Sequence, residues 1–496
     1  MKFEFYLNNF FFALKKNLET KNFFYRYFNL TYTYQDLKKY INSFLKFLNK
    51  NQISNKSKIV ILSNKCFEMY ASSIAIFISN NTWIPLSKNT PIERLEKILN
   101  ASKPDLLLFD SLEKEKKKLI NKICKKLKIK LESFSSIKRF AGREIQPFNF
   151  KKISPNDLSM IFFTSGSTGE PKGIKLSYEN IFYCLYEQLK KIYKGSKNLS
   201  FGDYHETSFV ISVVIIFPCI YLGGSLVPAK ELNELALPHV HLKQNKINTL
   251  ITVPSTINRI KMYAKKNLKI NLKILILCGE PFYLGELDYI LKNFNSSKIF
   301  NCYGSTELSP WIFAHKCKKE DISTFKRYNL VPIGKKFNYT STKILSNELY
   351  ISGKMVSLGY LQKKDNKKNF KKINGKLWYK TGDIVTKINN YFIIKGRVDR
   401  IVKIKGYRVD LTEVEKYLKD HNDVDNAICF LKKDNNYGQI VAFVKSEQKL
   451  NEAILLNFLK KYLPNYMLPK KIFYLKSFPT NQNGKIDRKK MFNSLS

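Results

Sequence analysis

Five short apolar runs, each bounded by polar or turn-forming residues, constrain the fold of this chain more than any other feature. They are Lys58 to Leu62 (KIVIL), Asp105 to Phe109 (DLLLF), Met160 to Phe163 (MIFF), Thr249 to Val253 (TLITV) and Ile274 to Cys278 (ILILC). Apolar runs of this length without polar alternation read as buried strands. Between them lie longer stretches of helical character, such as Thr90 to Ala101 with its charges on one side. Strands alternating with helices predict an α/β architecture. At 496 residues the chain exceeds what one hydrophobic core usually serves. Its character changes at Gly396 to Gly406 (GRVDRIVKIKG), after which about 90 residues carry their own strand and helix patterns. The expectation is a large N-terminal α/β domain over residues 1–395 and a small α+β C-terminal domain over residues 396–496.

The formal net charge of +46 points at first sight to nucleic acid or an anionic membrane. Its distribution argues otherwise. Residues 396–496 carry 20 basic and 11 acidic residues, so charge density is nearly the same in both parts of the chain. A dedicated binding surface would be lumpy, and no nucleic-acid partner is expected. The densest run, Glu113 to Lys130, places Leu119, Ile123 and Leu127 at helical spacing, which reads as a helix with a solvated basic face.

Eight cysteines are scattered without a CxxC pair, and the one close histidine pair, His239 and His241, has no carboxylate or Cys at ligand spacing. Neither a disulfide framework nor a zinc site is expected from this pattern. The N-terminus carries Glu4 and lacks a small-residue cleavage pattern, against a signal peptide. The longest apolar run, Phe209 to Leu222, contains Pro218 and is shorter than the ~20 residues needed to span a bilayer. A cytoplasmic protein without a membrane span is the expectation.

Phe162 to Lys172 reads FFTSGSTGEPK: an apolar strand entering six residues drawn from Thr, Ser and Gly, then Pro and Lys. Glycines let the backbone turn around an anion, hydroxyls donate to phosphate oxygens and a lysine adds a point charge. This is a phosphate loop by chemistry, without the GxxxxGK[ST] spacing of P-loop NTPases. The string TSGSTGEPKG resembles the signature of the adenylate-forming (AMP-binding) enzymes. Further motifs of that family occur in order: TYQDL from Thr33, WIPLSKNTPIER from Trp83, NCYGSTE from Asn301, ELYISG from Glu348, YKTGD from Tyr379, GRVDRIVKIKGYRVDLTEVE from Gly396, LPNYMLP from Leu463 and NGKIDRK from Asn483. The last four are closest in form to peptide-synthetase adenylation domains and D-alanine–carrier-protein ligases.

The resemblance implies activation of a small carboxylic acid by ATP and Mg²⁺ to an acyl-adenylate, then transfer of the acyl group to a thiol. Thr164, Ser165, Gly166, Ser167, Thr168, Gly169 and Lys172 would form the cradle for the β and γ phosphates. Tyr303 would stack on adenine and Asn301 would bond its amino edge; Thr306 would touch the α-phosphate and Glu307 would hold Mg²⁺. Asp383 would accept the ribose hydroxyls, Arg397 would steady them, and Lys485 would offset charge between carboxylate and α-phosphate. Asp399 would be the hinge about which a mobile small domain turns between the two half-reactions. Plain alternatives stand beside these roles: Lys485 as one more solvated lysine, Asp383 as a turn residue, Glu307 as a helix-turn carboxylate, Arg397 and Asp399 as a surface ion pair.

The substrate segment departs from the family pattern. An ungapped alignment of Phe209 to Val227 puts Val210 where enzymes for α-amino acids carry an aspartate. A buried ammonium without a carboxylate is costly, so the acid lacks a free α-amine, or Glu206 or Asp203 approaches from the preceding loop. Phe209 would be an aromatic gate near the thiol; Cys278 and Gly279 either line the pocket wall or are ordinary core residues. The chain ends 11 residues after Lys485, so the phosphopantetheine thiol of a free-standing acyl carrier protein is expected as acceptor, with CoA as the alternative. A non-catalytic AMP-binding protein is the remote alternative.

Overall fold

The computed structural model describes residues 2–140, 152–165, 170–264, 269–434, 437–446, 450–479 and 486–495. These residues form two compact units. The first comprises Met1–Lys88, Ala101–Phe162 and Gly173–Val398; the second comprises Asn89–Asn100, Phe163–Lys172 and Asp399–Ser496.

The first unit is α/β, as the alternation of runs predicts. Its largest sheet has nine strands in the order Lys335–Lys336, Phe313–Lys316, Phe294–Tyr303, Ile270–Cys278, Thr249–Thr252, Ser200–Asp203, Ser225–Pro228, Phe23–Tyr27 and Leu30–Thr33. The six strands from Phe294–Tyr303 to Phe23–Tyr27 run parallel. The run ILILC explains itself here. Ile274, Ile276 and Cys278 join one apolar cluster, while Leu275 and Leu277 join a second cluster with Ile257, Ile260, Leu287 and Ile290. A strand covered on both faces has no use for polar alternation. A six-stranded sheet, in the order Lys130–Ser133, Leu106–Phe109, Lys58–Leu62, Thr82–Leu86, Leu158–Thr164 and Lys172–Ser177, contributes Ile59, Ile61, Leu106 and Leu108 to the first of these clusters. An antiparallel sheet of five strands, Thr340–Leu345, Glu348–Gly353, Phe370–Ile373, Lys376–Ile388 and Tyr391–Arg397, completes the unit.

The apolar run Phe209 to Leu222 becomes the helix Ile211–Leu222, with Ile211 to Ile220 buried throughout. It is a core helix, apolar all round because protein surrounds it. Among the described residues no helix is long and apolar enough to cross a membrane. The basic run forms the helix Lys114–Lys126, but its inward face is Ile120, Ile123 and Cys124, and Leu119 is exposed. The buried stripe is therefore shifted by one position from the expected Leu119, Ile123 and Leu127; both stripes share Ile123, and the spacing alone does not choose between them.

In the second unit the strands Ile401–Ile404 and Tyr407–Asp410 form a hairpin whose turn residues, Lys405 and Gly406, both take positive φ (51° and 83°). That conformation matches the strand twist. A three-stranded sheet, Asn426–Asp434, Tyr437–Lys445 and Lys471–Leu475, packs with the helices Leu411–Lys419 and Glu452–Lys460 around Val414, Leu418, Ala442, Val444, Leu455 and Leu459. Arg94 from the early segment donates to the fully buried Glu413 at 2.6 Å.

Candidate active site

In the nine-stranded sheet, five parallel strands end side by side and present Tyr303, Cys278, Thr252, Asp203 and Pro228 at their carboxyl ends. The carboxyl edge of such a sheet is where open α/β folds bind ligands, because the chain turns into loops there. The loop after Tyr303 is shaped by Gly304: a Cβ built on it would lie 1.8 Å from the carbonyl oxygen of Pro310. Any other residue would push this loop apart. It continues into the short helix Thr306–Leu308, in which Thr306 and Glu307 are both buried. Glu307 Oε1 accepts from the Tyr360 hydroxyl at 2.9 Å, and Asn369 donates to that hydroxyl at 2.8 Å.

The antiparallel sheet brings Asp383 and Arg397 face to face. They are register partners of the strands Lys376–Ile388 and Tyr391–Arg397, joined by a turn in which Asn389 takes φ 51°. Arg397 Nη1 donates to Asp383 Oδ1 at 2.6 Å and its Nη2 to the carbonyl of Thr381 at 2.9 Å. The Tyr303 hydroxyl donates to Asp383 Oδ2 at 2.5 Å. Burial, reinforced by this carboxylate, pushes the Tyr303 hydroxyl well above its ordinary pKa, so it stays a donor. Tyr303, Asp383 and Arg397 thus form one charge-assisted cluster, with Arg397 paired to Asp383. Asn301, two residues before Tyr303 on the same strand, donates its amide to the carbonyls of Val331 and Pro332. Its amide nitrogen is committed to the chain, which leaves the oxygen as the atom able to meet an adenine amino group.

Phe209 and Val210 sit in the tight turn that opens the helix Ile211–Leu222. The Phe209 amide donates to the Glu206 carbonyl at 3.0 Å, and Ser212 Oγ donates to the Phe209 carbonyl at 2.7 Å. Val210 is buried within the main apolar cluster. Cys278 Sγ lies 3.8 Å from the carbonyl of Thr252, and Gly279 follows with φ 81°. Nearby, Asp203 is heavily engaged. It accepts from the Tyr70 hydroxyl at 2.6 Å and from the His205 amide at 3.2 Å, and Lys65 Nζ stands 3.7 Å from its Oδ1. Lys65 also donates to the carbonyls of Asp203 and Ala229. Burial pulls the Lys65 ammonium below its usual range and pushes the Glu206 carboxyl up, while their mutual attraction opposes both shifts.

In the second unit, Ser165 Oγ donates to the carbonyl of Arg408 at 2.8 Å and accepts from the Asp410 amide at 3.0 Å. Glu170 accepts from Lys97 at 3.0 Å and from Lys416 at 3.1 Å. Thr164 ends the strand Leu158–Thr164 and Lys172 begins the strand Lys172–Ser177. Asp399 Oδ1 accepts from the Ile401 amide at 3.3 Å, at the entry to the hairpin. Gly166, Ser167, Thr168, Gly169 and Lys485 lie outside the described residues. Sequence reasoning missed Tyr360 and Asn369 beside Glu307, and Lys65 beside Asp203. Each is brought to its partner by long-range packing, with no local pattern to mark it.

The model of the AMP-binding enzyme family matches residues 15–361, and that of the AMP-binding enzyme C-terminal domain matches residues 413–485. A D-alanine--D-alanyl carrier protein ligase of Lactococcus lactis is 29% identical over 478 residues, covering 92% of this chain and 93% of the relative. The ligase of the same description from Listeria monocytogenes is 27% identical over 490 residues, covering 94% and 95%. Among solved structures, the Vibrio cholerae adenylation domain AlmE in complex with glycyl-adenosine-5'-phosphate superposes with a TM-score of 0.84 at 21% identity, over 99% of this chain and 98% of that one. The o-succinylbenzoate CoA synthetase of Bacillus subtilis gives 0.81 at 19% identity, over 97% and 98%. These two likenesses concern the fold.

Proposed function

The chain belongs to the AMP-binding enzyme family, and from that premise we propose that it is an ATP-dependent ligase which loads a small carboxylic acid onto the phosphopantetheine thiol of a separate carrier protein. In the first half-reaction a carboxylate oxygen of the acid attacks the α-phosphorus of ATP; a P–O bond forms, the bond to the β-phosphate breaks and pyrophosphate leaves. In the second, the thiol sulfur attacks the acyl carbonyl, AMP leaves and the thiol proton passes to solvent. The observation that carries the reading is the cluster of the buried Tyr303 and Asp383 with the half-buried Arg397. A carboxylate oriented by a guanidinium and a hydroxyl is a ready acceptor for a pair of ribose hydroxyls.

The remaining roles follow the family motifs. Glu307, oriented by Tyr360, suits Mg²⁺, which takes oxygen ligands and usually only one or two carboxylates beside substrate phosphates. When bound, that ion offsets the charge of the phosphates. Thr164 to Gly169 with Lys172 cradle the β and γ phosphates, Thr306 meets the α-phosphate, and Lys485 balances charge on the reacting oxygens. The hinge is assigned to Asp399, with the chain beyond it as the small mobile domain; Gly396 and Arg397, expected in that domain, belong to the strand Tyr391–Arg397 of the first unit. Carrier-protein transfer is supported by the carrier-protein ligases named above; CoA is the alternative acceptor.

For the acid, the apolar Val210 and the engaged Asp203 favour a substrate without a free α-ammonium. A second reading, D-alanine, is favoured by the relatives' descriptions and by Glu206, the carboxylate of that loop, which accepts from Ser208 Oγ at 3.4 Å and keeps further acceptor capacity for an amine. Separating the half-reactions tests the proposal. Lys485→Ala is expected to lower adenylate formation by roughly 10² or more while sparing thioester formation from supplied acyl-adenylate. Asp399→Pro, fixing φ near about −65°, is expected to impair thiol transfer more than adenylation. Equal loss of both steps in both variants would defeat these assignments.

A further inference from the structure

His315, Cys317 and Asp321 offer three different ligand atoms at one buried point, and nothing in the proposed reaction uses them. His315 lies on the strand Phe313–Lys316, opposite Asn301 of the neighbouring strand. The Cys317 amide donates to the carbonyl of Ile299 at 2.9 Å, which extends the pairing by one residue. The chain then turns back through exposed lysines, and Asp321 opens the short helix Asp321–Thr324. Its Oδ2 lies 2.8 Å from His315 Nε2 and accepts from the Lys318 amide at 2.7 Å. The His, Cys and Asp ligand atoms all lie within 4.8 Å of one another, and all three residues are buried.

We propose that His315, Cys317 and Asp321 form a zinc site. Tetrahedral zinc takes nitrogen and oxygen at about 2.0–2.2 Å and sulfur at about 2.3 Å, which sets neighbouring ligand atoms ~3.3–3.8 Å apart. The cluster reaches that spacing if the His315–Asp321 contact opens by ~0.5–0.8 Å and the sulfur closes in by up to ~1.2 Å. Charge also fits. A neutral imidazole, a thiolate and a carboxylate carry −2 together, so a divalent cation makes a buried site that is neutral overall. The thiolate selects zinc over Mg²⁺ or Ca²⁺, which prefer oxygen.

Three protein donors leave one tetrahedral position for water. On binding, Cys317 releases its thiol proton to solvent and His315 carries its remaining proton on Nδ1. The Phe325 and Tyr391 rings stand nearly perpendicular to the imidazole, with centroids 6.3 and 5.4 Å away, and limit its rotation. The sequence pattern H-x-C-x₃-D has neither a CxxC pair nor a close histidine pair to mark it. A bound ion would tie the strand Phe313–Lys316 to the following turn, beside the strand that carries Asn301 and Tyr303. Stability should therefore rise with zinc.

The test uses the full chain, stripped with chelator and dialysed against zinc in excess Mg²⁺. One zinc per chain by elemental mass spectrometry is expected, with a higher unfolding temperature. Cobalt in its place should give a sulfur-to-cobalt charge-transfer band that is lost in Cys317→Ser and kept in Cys124→Ser. His315→Gln and Asp321→Asn should weaken zinc by at least the roughly 10- to 100-fold typical of losing outer-shell support. If a variant fails to fold, protection of Cys317 from alkylation by zinc in the unmodified protein, read by peptide mass, decides the matter. Substoichiometric zinc, a cobalt band that survives Cys317→Ser, or alkylation of Cys317 unaffected by zinc would show that the cluster is an ordinary His–Asp hydrogen bond beside a buried thiol.

Discussion

Replacing Asp383 by Asn tests the nucleotide cluster where its geometry is tightest. The substitution keeps the shape of the side chain and removes its charge. Breaking a buried ion pair by deleting one partner costs about 3–5 kcal/mol. Two features reduce that here: Arg397 is 17% exposed and still donates to the Thr381 carbonyl, and the Asn oxygen still accepts. The expected loss is that of one charge-assisted hydrogen bond, about 1.5–3 kcal/mol. Tyr303→Phe removes the other donor to the same carboxylate. Because both donors share Asp383, the double variant should be non-additive by about 1 kcal/mol or more, read from urea unfolding of the four proteins. In pyrophosphate exchange at varied ATP, Asp383→Asn should raise the ATP concentration required by roughly 10- to 100-fold, about 1.4–2.8 kcal/mol. Additivity within about 0.5 kcal/mol, together with an unchanged ATP requirement, would refute the assignment.

Three further outcomes are expected. Glu307→Gln should shift the Mg²⁺ dependence of exchange to higher concentration, and Tyr360→Phe should do so by about 10-fold through loss of the bond that orients the carboxylate; unchanged Mg²⁺ curves in both would remove Glu307 from the metal role. His205 is pulled from 6.5 down to about 4, chiefly by burial. A base depressed in the fold is protonated first in the unfolded chain, so its contribution is complete above about pH 6.5 and is lost as pH falls toward 4, on the order of 3 kcal/mol; His205→Asn should flatten that limb of a stability–pH curve, and an unchanged limb would contradict the burial argument. Ordinary α-amino acids should support exchange on the order of 10² to 10³ less well than acids lacking the amine; robust exchange with D-alanine, abolished by Glu206→Ala, would show that Glu206 receives the amine and that the apolar Val210 does not exclude it.

The sequence made the first unit legible because its strands are covered on both faces, and uninterrupted runs such as ILILC are the signature of that environment. The register of Asp383 against Arg397 is also nearly local, set by a hairpin with Asn389 in its turn. What stayed hidden is non-local. Tyr360 reaches Glu307 across 53 positions, and Lys65 meets Asp203 across 138. Hydrophobic periodicity carries no information about such pairings. Periodicity also failed within one helix, where Leu119 and Ile120 were equally compatible with the spacing and only packing chose Ile120. The sequence likewise gave no hint that Asn89–Asn100 would associate with residues far downstream, an arrangement anchored by Arg94 and Glu413.

The central claim is that this protein joins a carboxylate to AMP. The most direct measurement is acid-dependent exchange of labelled pyrophosphate into ATP, run with Mg²⁺ over a panel of hydroxy, acyl, aryl and amino acids, with Lys485→Ala as the paired control. Exchange above background is predicted for at least one acid, with its collapse in the variant. No acid-dependent exchange anywhere in the panel, from protein that binds ATP and is folded, would contradict it.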